Sequence, residues 1–192
     1  MTVAVTQESQ PDLAEYGRIS IAFEVREIVV LPPEPLADVT SELATRRVEV
    51  PWVKDYDAAG GDPTTWAARF DLAHWTFFTA RANDQLVGAA AVVFRAPDVD
   101  MLESRRDVAL LWDIRVTPDA RGHGVGPALI AAVSAWATAH EATWLEVETQ
   151  DINAPACRFY ARHGFVLRAI NRDAYPGLPD ETQLLWYRRL DR

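Results

Sequence analysis

The sequence is poor in cysteine, and this excludes two kinds of structural site. Cys157 is the only cysteine among the 192 residues, so the chain can form neither an intrachain disulfide nor a cysteine zinc cluster. The four histidines are not spaced as metal ligands either. We therefore expect a protein that holds no metal.

The sequence also has no long apolar run and no excess of basic residues. No apolar stretch reaches the roughly 18 residues that span a bilayer, and the first residues lack the basic and apolar regions of a secretory signal. The net charge is −9, and no basic stripe alternates with aromatic side chains. We expect a cytoplasmic protein whose partner is neither a membrane nor a nucleic acid. The acidity is compatible with a cationic small substrate and equally with a simple role in solubility.

Length and composition favour one globular domain. A chain of 192 residues with 49% hydrophobic residues can bury a single substantial core, and no repeat or low-complexity linker divides it. Residues 1–17 are polar and contain Pro11, so we predict a loose leader or a capping segment there. Residues 18–192 are predicted to form the domain.

Hydrophobic patterns predict an α/β domain of mixed strands. The predicted strands cover residues 18–31, 74–81, 86–95, 108–116, 143–149, 165–170 and 183–190. The second and third of these are expected to form an antiparallel hairpin around an Asn-Asp turn. A weak helical pattern covers residues 36–44, residues 50–62 are predicted to be a loop, and Asp62 with Pro63 is typical of a helix start.

The most informative stretch is a predicted strand that leads into a glycine-rich turn. Ile114 and Val116 alternate with polar neighbours, as in a half-buried strand. Gly122, Gly124 and Gly126 follow at every second position, where the missing side chains let backbone N–H groups approach a ligand closely. The turn therefore offers a row of hydrogen-bond donors.

A helical pattern begins directly after these glycines. Leu129, Val133 and Trp136 recur at helical spacing, and the free N–H groups and positive dipole at a helix N-terminus favour a phosphate. Pro127 stands where a dinucleotide-binding fingerprint needs glycine or alanine, and the chain has no Gly-Lys-Ser or Gly-Lys-Thr of a P-loop. From the residues alone, the turn is either a pyrophosphate cradle or a tight connection.

A second motif favours the cradle through a family resemblance. The chain reads Asn-Ala-Pro-Ala-Cys-Arg-Phe-Tyr-Ala-Arg-His-Gly-Phe over residues 153–165 and Arg-Gly-His-Gly-Val-Gly over residues 121–126. Together, in this order, the motifs resemble those of the GNAT superfamily of acyl-CoA-dependent N-acyltransferases, over roughly residues 75–190. The chain is most similar to the streptothricin acetyltransferase branch, through the strings at residues 54–57, 111–116, 148–160 and 184–187.

The resemblance implies a fold and a cosubstrate. The fold would be α/β (α+β), with a mixed, mostly antiparallel central sheet flanked by helices. A splayed strand pair, whose strands end near Val116 and Thr149, would form the acetyl-CoA cleft. Acetyl-CoA would be the cosubstrate, and no metal is implied. Because members of the family often form homodimers, a homodimer is a candidate assembly.

The resemblance also assigns residues to acetyl-CoA. The backbone N–H of Val116, with Ile114 on the same strand, would hold the pantetheine arm or the thioester carbonyl, since an amide aimed at a developing oxyanion stabilises it. Asn153 would bond the coenzyme arm or cap its own helix. The pyrophosphate would be bound by the backbone of Arg121, Gly122, His123, Gly124 and Gly126.

Two residues are predicted to move protons. Tyr160 would lie near the coenzyme sulfur as general acid for the leaving thiolate, since a phenol of pKa about 10 keeps its proton at neutral pH. The alternative is that Tyr160 only packs beside Phe159. Glu148 is favoured as the base that deprotonates the amine, with Glu146 and Asp113 as further candidates. Each carboxylate could instead belong to a solvated or salt-bridged strand position.

The acceptor is predicted from charge and from the branch resemblance. Asp55, Tyr56, Asp57 and Asp113 would attract the amine of a small cationic substrate, such as the β-lysine amine of a streptothricin-type antibiotic. An antibiotic-resistance enzyme is implied. Two alternatives stay open: an acetyltransferase for a polyamine or for a protein or peptide amine, and a non-catalytic acyl-CoA-binding module. Cys157 is expected to pack and to form no acyl intermediate.

Overall fold

The computed structural model describes residues 2–31 and 43–191, which belong to two compact units. The first unit draws on residues 1–22, 55–145 and 190–192, and the second on residues 23–54 and 146–189. Each unit is therefore assembled from separate stretches of sequence. The single domain predicted for residues 18–192 includes parts of both units, and its boundary stays a prediction.

The described residues form nine strands and four α-helices, joined in places by short helical turns. In chain order these are β1 (Ala4–Glu8), α1 (Leu13–Gly17), β2 (Phe23–Val29), β3 (Thr45–Lys54), α2 (Trp66–Arg69), β4 (Trp75–Ala82), β5 (Gln85–Phe94), β6 (Val108–Val116), α3 (Val125–Ala139), β7 (Trp144–Gln150), α4 (Ala154–Arg162), β8 (Val166–Asn171) and β9 (Gln183–Arg189). The six strands predicted beyond residue 70 are confirmed to within one residue at each end.

Four antiparallel strands, in the order β1, β4, β5 and β6, form the sheet of the first unit. β4 and β5 are the predicted hairpin, and Asn83 and Asp84 at its turn have φ of 49° and 63°. Two consecutive positive φ values are typical of a type I′ turn, whose twist matches that of the strands it joins. Val116, at the end of β6, lies opposite Gly88 of β5.

Helix α3 packs against β4, β5 and β6 and buries the apolar face of this sheet. Leu129, Ile130 and Val133 are at most 1% exposed, and burying each such side chain contributes about 1.5–3 kcal/mol. Gly88 permits the close approach: a Cβ there would lie 2.6 Å from Cγ1 of Val125. A side chain at residue 88 would therefore push the first turn of α3 away from the sheet.

The N-terminal residues form a strand and a short helix. β1 pairs antiparallel with β4 along its whole length. Asp12 caps α1 by accepting hydrogen bonds from the N–H groups of Ala14 at 3.0 Å and Glu15 at 2.9 Å, and Tyr16 is only 2% exposed. The structure thus places a strand and a short helix where a loose leader or a capping segment was expected. Residues 4–17 contain no apolar run, and they are held by the pairing of β1 with β4 and by the buried ring of Tyr16.

The second unit contains three strands in the order β7, β9 and β8, and a separate antiparallel ribbon of β2 and β3. Leu167, Leu184 and Trp186 are at most 1% exposed and form its core. The indole Nε1 of Trp186 donates to Oγ1 of Thr149 at 2.8 Å, which satisfies both buried polar groups. Helix α4 packs against β2 and β8.

Strand β3 corrects the loop predicted for residues 50–62. Residues 50–54 are its last five residues, and Trp52, Val53 and Lys54 pair with Val25, Glu24 and Phe23 of β2. Most side chains of β3 are exposed, so it lacks the apolar and polar alternation of a half-buried strand. Only Asp57–Gly61 form a tight helical turn, and Asp62 then caps the next helical segment as predicted, by accepting from the N–H of Thr64 at 2.8 Å.

Of two further predictions for this part of the chain, one is confirmed in part and the other falls mainly outside the described residues. The strand predicted for residues 18–31 is confirmed only as β2, because Ile19 belongs to the turn that follows α1. The weak helical pattern of residues 36–44 falls mainly on residues 32–42, which lie outside the described residues. Within residues 2–31 and 43–191, no helix is long and apolar enough to cross a membrane.

Candidate active site

The glycine turn lies between the end of β6 and the start of α3, as the sequence predicted. Gly122 and Gly124 have φ of +77° and +87°, in the left-handed region that residues with a Cβ rarely adopt. A Cβ at either position would meet no atom within 4 Å, so the requirement for glycine comes from backbone conformation and not from crowding. Gly124 is the N-cap of α3. The two glycines therefore shape the turn.

The turn exposes backbone donors at the N-terminus of α3. The first helical bond runs from the N–H of Ala128 to the carbonyl of Gly124 at 3.1 Å. Within the part of the chain that the structure describes, no acceptor contacts the N–H of Gly122, Gly124, Val125 or Gly126. Most of the turn is exposed to solvent. These donors and the positive end of the helix dipole form a site suited to an anion.

Side chains of the turn fix it to the strand. Nε of Arg121 donates to the carbonyl of Val116 at 3.1 Å, and Nδ1 of His123 lies 3.0 Å from the carbonyl of Arg121. The resemblance assigned a role only to the backbone of Arg121. The bond from its side chain to Val116, which we call the clamp, was not predicted. Because the clamp closes on Val116, the strand end and the turn form one local structure within the first unit.

The alternation along β6 is inverted relative to a usual half-buried strand. Ile114 and Val116, the apolar pair, are only partly buried, whereas the side chain of Arg115 is completely buried. Arg115 makes bidentate bonds to Asp57, at 2.7 and 2.9 Å, and also to Asp113, at 2.9 and 3.0 Å. Two of the carboxylates predicted to attract an amine therefore already share one guanidinium.

The phenol of Tyr16 completes this cluster. Its hydroxyl donates to Oδ1 of Asp113 at 2.8 Å. Burial and the adjacent Asp113 raise the pKa of Tyr16 well above its usual value, so the phenol stays neutral. Burial alone would lower the pKa of Arg115, but Asp113 and Asp57 outweigh it and raise that pKa. The cluster of Tyr16, Asp57, Asp113 and Arg115 thus carries a net charge of one negative unit.

The two remaining predicted acceptor residues belong to the turn beside Asp57. Oδ1 of Asp55 accepts from the N–H of Asp57 at 3.0 Å, and the carbonyl of Tyr56 accepts from the N–H of Gly61 at 2.9 Å. Asp55 and Tyr56 are both partly exposed. The structure therefore brings Asp55, Tyr56, Asp57 and Asp113 into one region of the first unit.

The second predicted motif forms helix α4 of the second unit. Asn153 is its N-cap and accepts from the N–H of Ala156 at 3.2 Å, which confirms the capping role that the sequence allowed. Gly164 ends the helix with φ of +79°. Tyr160 is 5% exposed and packs edge-on against Phe159 and Phe165, with ring centroids 5.3 Å away in both cases. Its ring is therefore firmly positioned.

Cys157 lies on the buried side of the same helix. It is completely buried, and burial raises the pKa of its thiol to about 12. Its Sγ lies 3.4 Å from Oγ1 of Thr149. A neutral, enclosed thiol is a poor nucleophile, in agreement with the expectation that Cys157 only packs.

Glu148 of β7 is held by three neutral donors. Oε1 accepts from Nε2 of Gln150 at 3.1 Å and from the hydroxyl of Tyr175, and Oε2 accepts from Nε2 of Gln183 at 2.7 Å. Burial and the charge of Glu148 raise the pKa of Tyr175. Glu146, the other candidate on this strand, is only 1% exposed. Sequence reasoning missed Tyr175 and Gln183, because they are distant along the chain and no local pattern links them to Glu148.

The predicted site residues are thus distributed over both units. The first unit contains those assigned to the acceptor and most of those assigned to acetyl-CoA: Asp55, Tyr56, Asp57, Asp113, Ile114, Val116, Arg121, Gly122, His123, Gly124 and Gly126. The second unit contains Glu148, Asn153 and Tyr160. Among the described residues, no group of histidine, cysteine and carboxylate side chains could hold a metal ion.

Sequence comparison finds relatives along most of the chain. The model of the acetyltransferase (GNAT) family matches residues 42–165. Streptothricin acetyltransferase of Escherichia coli is 31% identical over 171 residues, which is 86% of this chain and 84% of that protein. The enzyme of the same name from Streptomyces lavendulae is 31% identical over 78% of this chain and 77% of its own. Streptothricin acetyltransferase A of Bacillus subtilis is 42% identical over 81 residues, only 47% of its length.

Structural comparison finds solved acetyltransferases with a similar fold. Nourseothricin acetyltransferase has a TM-score of 0.74 at 21% identity, and all of both chains is covered. A Bacillus anthracis protein solved in complex with acetyl coenzyme A has a TM-score of 0.76 at 23% identity, again with full coverage. At these identities the likeness shows the fold, which is mixed α/β with a mostly antiparallel sheet and flanking helices.

Proposed function

Since the chain belongs to the acetyltransferase (GNAT) family, we propose that it transfers an acetyl group from acetyl-CoA directly to a primary amine of a small cationic substrate of the streptothricin type. The row of open N–H groups at the start of α3 is the observation that carries this proposal, because it offers donors for a pyrophosphate. The names of the relatives that match most of the chain support the acceptor.

The glycine turn is proposed to bind the pyrophosphate of acetyl-CoA. The N–H groups of Gly122, Gly124, Val125 and Gly126 can donate to phosphate oxygens, whereas the N–H of His123 already donates to the carbonyl of Ala120 at 3.3 Å. The bond from Arg121 to the carbonyl of Val116 keeps the turn fixed on β6. We assign Ile114 and Val116 to the pantetheine arm and the thioester, and Asn153 to the coenzyme arm in addition to its capping role.

The reaction needs two proton transfers. The amine nitrogen attacks the thioester carbonyl carbon, the C–S bond breaks, and the products are an amide and CoA. We assign to Tyr160 the proton that the leaving thiolate receives. At pH 7 only about one in a thousand alkylamines of pKa about 10.4 is neutral, so a base assists the attack. We assign that role to Glu148.

The environment of Glu148 supports this assignment. A carboxylate that accepts bonds from two amides and a phenol is oriented by all three. All three donors are neutral, so none of them cancels its negative charge, and an ammonium is a suitable further partner.

The acceptor is proposed to be recognised by Asp55, Tyr56, Asp57 and Asp113. The one negative unit left after Arg115 pairs with two carboxylates favours a cation, and the aromatic ring of Tyr56, which is partly exposed as a residue, is a further candidate contact. The net charge of −9 acts in the same direction over longer range. From the sequence we also propose that the protein acts in the cytoplasm. From the family resemblance we propose a homodimer, which sedimentation velocity would test.

A product assay tests the proposed function. Purified protein would be incubated with acetyl-CoA and, separately, with streptothricin, a polyamine, an aminoglycoside and an N-terminal peptide, and the products would be identified by mass. Acetylated streptothricin is the expected product. Acetylation of another amine alone would keep the chemistry and exclude the antibiotic. Binding of acetyl-CoA without any acetylated product would favour a non-catalytic acyl-CoA-binding module.

A further inference from the structure

Every N–H group of the Arg115 side chain donates a hydrogen bond. The side chain is completely buried, and all five of its N–H groups donate. Nε and Nη2 together donate three hydrogen bonds to carboxylate oxygens of Asp57 and Asp113. Nη1 donates one hydrogen bond to Asp57 at 2.7 Å and one to the carbonyl of Ile19 at 3.1 Å. The guanidinium lies 5.4 Å from the ring centroid of Tyr16 and 6.0 Å from that of Trp66. A planar cation with this many fixed donors has a single orientation.

Arg115 joins three segments that are distant in sequence. It belongs to β6, bonds the backbone after α1 through Ile19, and bonds the turn of residues 57–61 through Asp57. These segments all belong to the first unit. The next residue along β6 is Val116, where the thioester is proposed to bind. Arg115 therefore sets the position of the Asp57 turn relative to that strand end.

Two other side chains also donate hydrogen bonds to the Asp57 turn. Nε1 of Trp66 donates to the carbonyl of Gly61 at 3.1 Å, and Nη1 of Arg69 donates to the carbonyl of Gly60 at 3.1 Å. Both donors lie on the helix that follows the turn. The bidentate bond from Arg115 to Asp57 is thus the side-chain link, among described residues, between this turn and β6.

Stability alone is a weak reason for such an arrangement. Replacing buried ion pairs by apolar side chains of similar volume is often neutral or stabilising, whereas a buried cation with two partners fixes geometry. We propose that Arg115 is a positioning residue, which holds the carboxylates of Asp57 and Asp113 beside the end of β6 so that they meet the acceptor ammonium at fixed positions. This inference rests on the proposed function.

Positioning and simple electrostatics predict opposite effects of removing the cation. Arg115→Met changes the charge of the cluster from one to two negative units. If charge alone attracted the acceptor, the variant would bind it more tightly. If Arg115 positions the carboxylates, the variant binds it more weakly despite the greater negative charge, because the Asp57 turn is no longer held to β6.

The experiment compares Arg115→Met and Arg115→Lys with wild type. The dissociation constant for streptothricin would be measured by calorimetry, the KM for both substrates by CoA release, and hydrogen exchange for the peptide containing residues 55–62. Arg105→Met is the matched control, since Arg105 also makes a bidentate bond, to Asp107, but is half-exposed. Arg115→Lys keeps the charge and replaces Arg115→Met if the latter does not fold.

We expect both Arg115 variants to weaken streptothricin binding by about tenfold or more, the loss that follows from one or two charged hydrogen bonds. The KM for acetyl-CoA should stay within about twofold, and exchange should accelerate in residues 55–62 but not in the β4–β5 hairpin. Tighter or unchanged binding overturns the inference, as does unchanged exchange. Because binding and exchange need no turnover, an inactive wild-type protein would disprove the proposed function and leave this test decisive.

Discussion

At the scale of single residues, burial and contacts lead to different predictions for Cys157 and Tyr160. Cys157 is enclosed and protonated, with a thiol pKa of about 12 caused chiefly by burial. We expect Cys157→Ala to keep kcat within about threefold of wild type, since the proposed transfer is direct and a buried protonated thiol is a poor nucleophile. CoA release at saturating substrates measures this. A loss of activity in a folded Cys157→Ala variant, together with an acetylated cysteine in wild type, would contradict the direct route.

For Tyr160 we predict a large loss of activity, in contrast to Cys157. Tyr160→Phe removes only the hydroxyl and leaves the edge-on contacts with Phe159 and Phe165 in place. We expect kcat to fall by about 10² to 10⁴, the usual contribution of a general acid, in a variant that still unfolds cooperatively. Steady-state rates and thermal unfolding check both parts. If turnover is unaffected, Tyr160 only packs and the thiolate receives its proton from another group.

Arg115 shows what a residue pattern can and cannot predict. The alternation from Asp113 to Val116 identified the strand correctly, because period-two patterns depend on local geometry. It could not predict that the charged face is the buried one, since that depends on Asp57 and Tyr16, which are far away in sequence. Long-range charge pairing therefore has to be observed in the structure.

At the scale of elements, the glycine turn gives a prediction about backbone conformation. Gly124→Val forces a β-branched residue to adopt φ near +87°, which costs about 1–2 kcal/mol although the space around its Cβ is open. We expect the KM for acetyl-CoA to rise and the KM for the amine to stay unchanged. Gly177→Val is the control, since Gly177 also has open space but no left-handed φ. Equal effects of the two variants would contradict the role of the turn.

The link between α4 and the β2–β3 ribbon gives a prediction about pH. Arg158 donates to both carboxylate oxygens of Glu27, at 2.6 and 2.5 Å, and Thr45 also donates to it. The bonds from Arg158, followed by that from Thr45, lower the pKa of Glu27 to about 2 from 4.5. A lowered folded-state pKa contributes stability above pH 4.5, and this stability disappears as the pH falls towards 2.

Urea unfolding at pH 5.5 and pH 3 tests this link. The side chains of Arg158 and Glu27 are both roughly a third exposed, so we expect the ion pair to contribute about 1 kcal/mol or less to the free energy of unfolding. Wild type should lose more stability between the two pH values than Arg158→Met, in which the carboxyl of Glu27 has lost its cationic partner. An equal loss in the two proteins would show that this ion pair does not contribute.

Elements with a strong hydrophobic pattern could be predicted, and those without one could not. β4 to β9 contain apolar runs or alternations, and α3 and α4 have apolar residues at helical spacing, so these elements show in the sequence. β3 is mostly exposed and contains Pro51, and β1 is a short strand with few apolar residues. Their positions follow from pairing with β2 and β4. The three donors around Glu148 are likewise a product of the tertiary fold.

At the scale of the whole molecule, the proposed function depends on both units. The donors for the pyrophosphate belong to the first unit, and the proposed proton-transfer residues Glu148 and Tyr160 belong to the second. The matches to the two streptothricin acetyltransferases extend over 86% and 78% of the chain, so the similarity is not confined to one unit. Substitutions in either unit should therefore affect the same turnover.

The most direct test is CoA release by wild type, Gly124→Val and Tyr160→Phe with streptothricin as acceptor. The account predicts rapid turnover by wild type, a higher KM for acetyl-CoA in Gly124→Val, and a lower kcat in Tyr160→Phe. The control Gly177→Val should behave as wild type. A wild-type protein that binds acetyl-CoA but releases no CoA with streptothricin, under conditions where it is folded, would contradict the central claim.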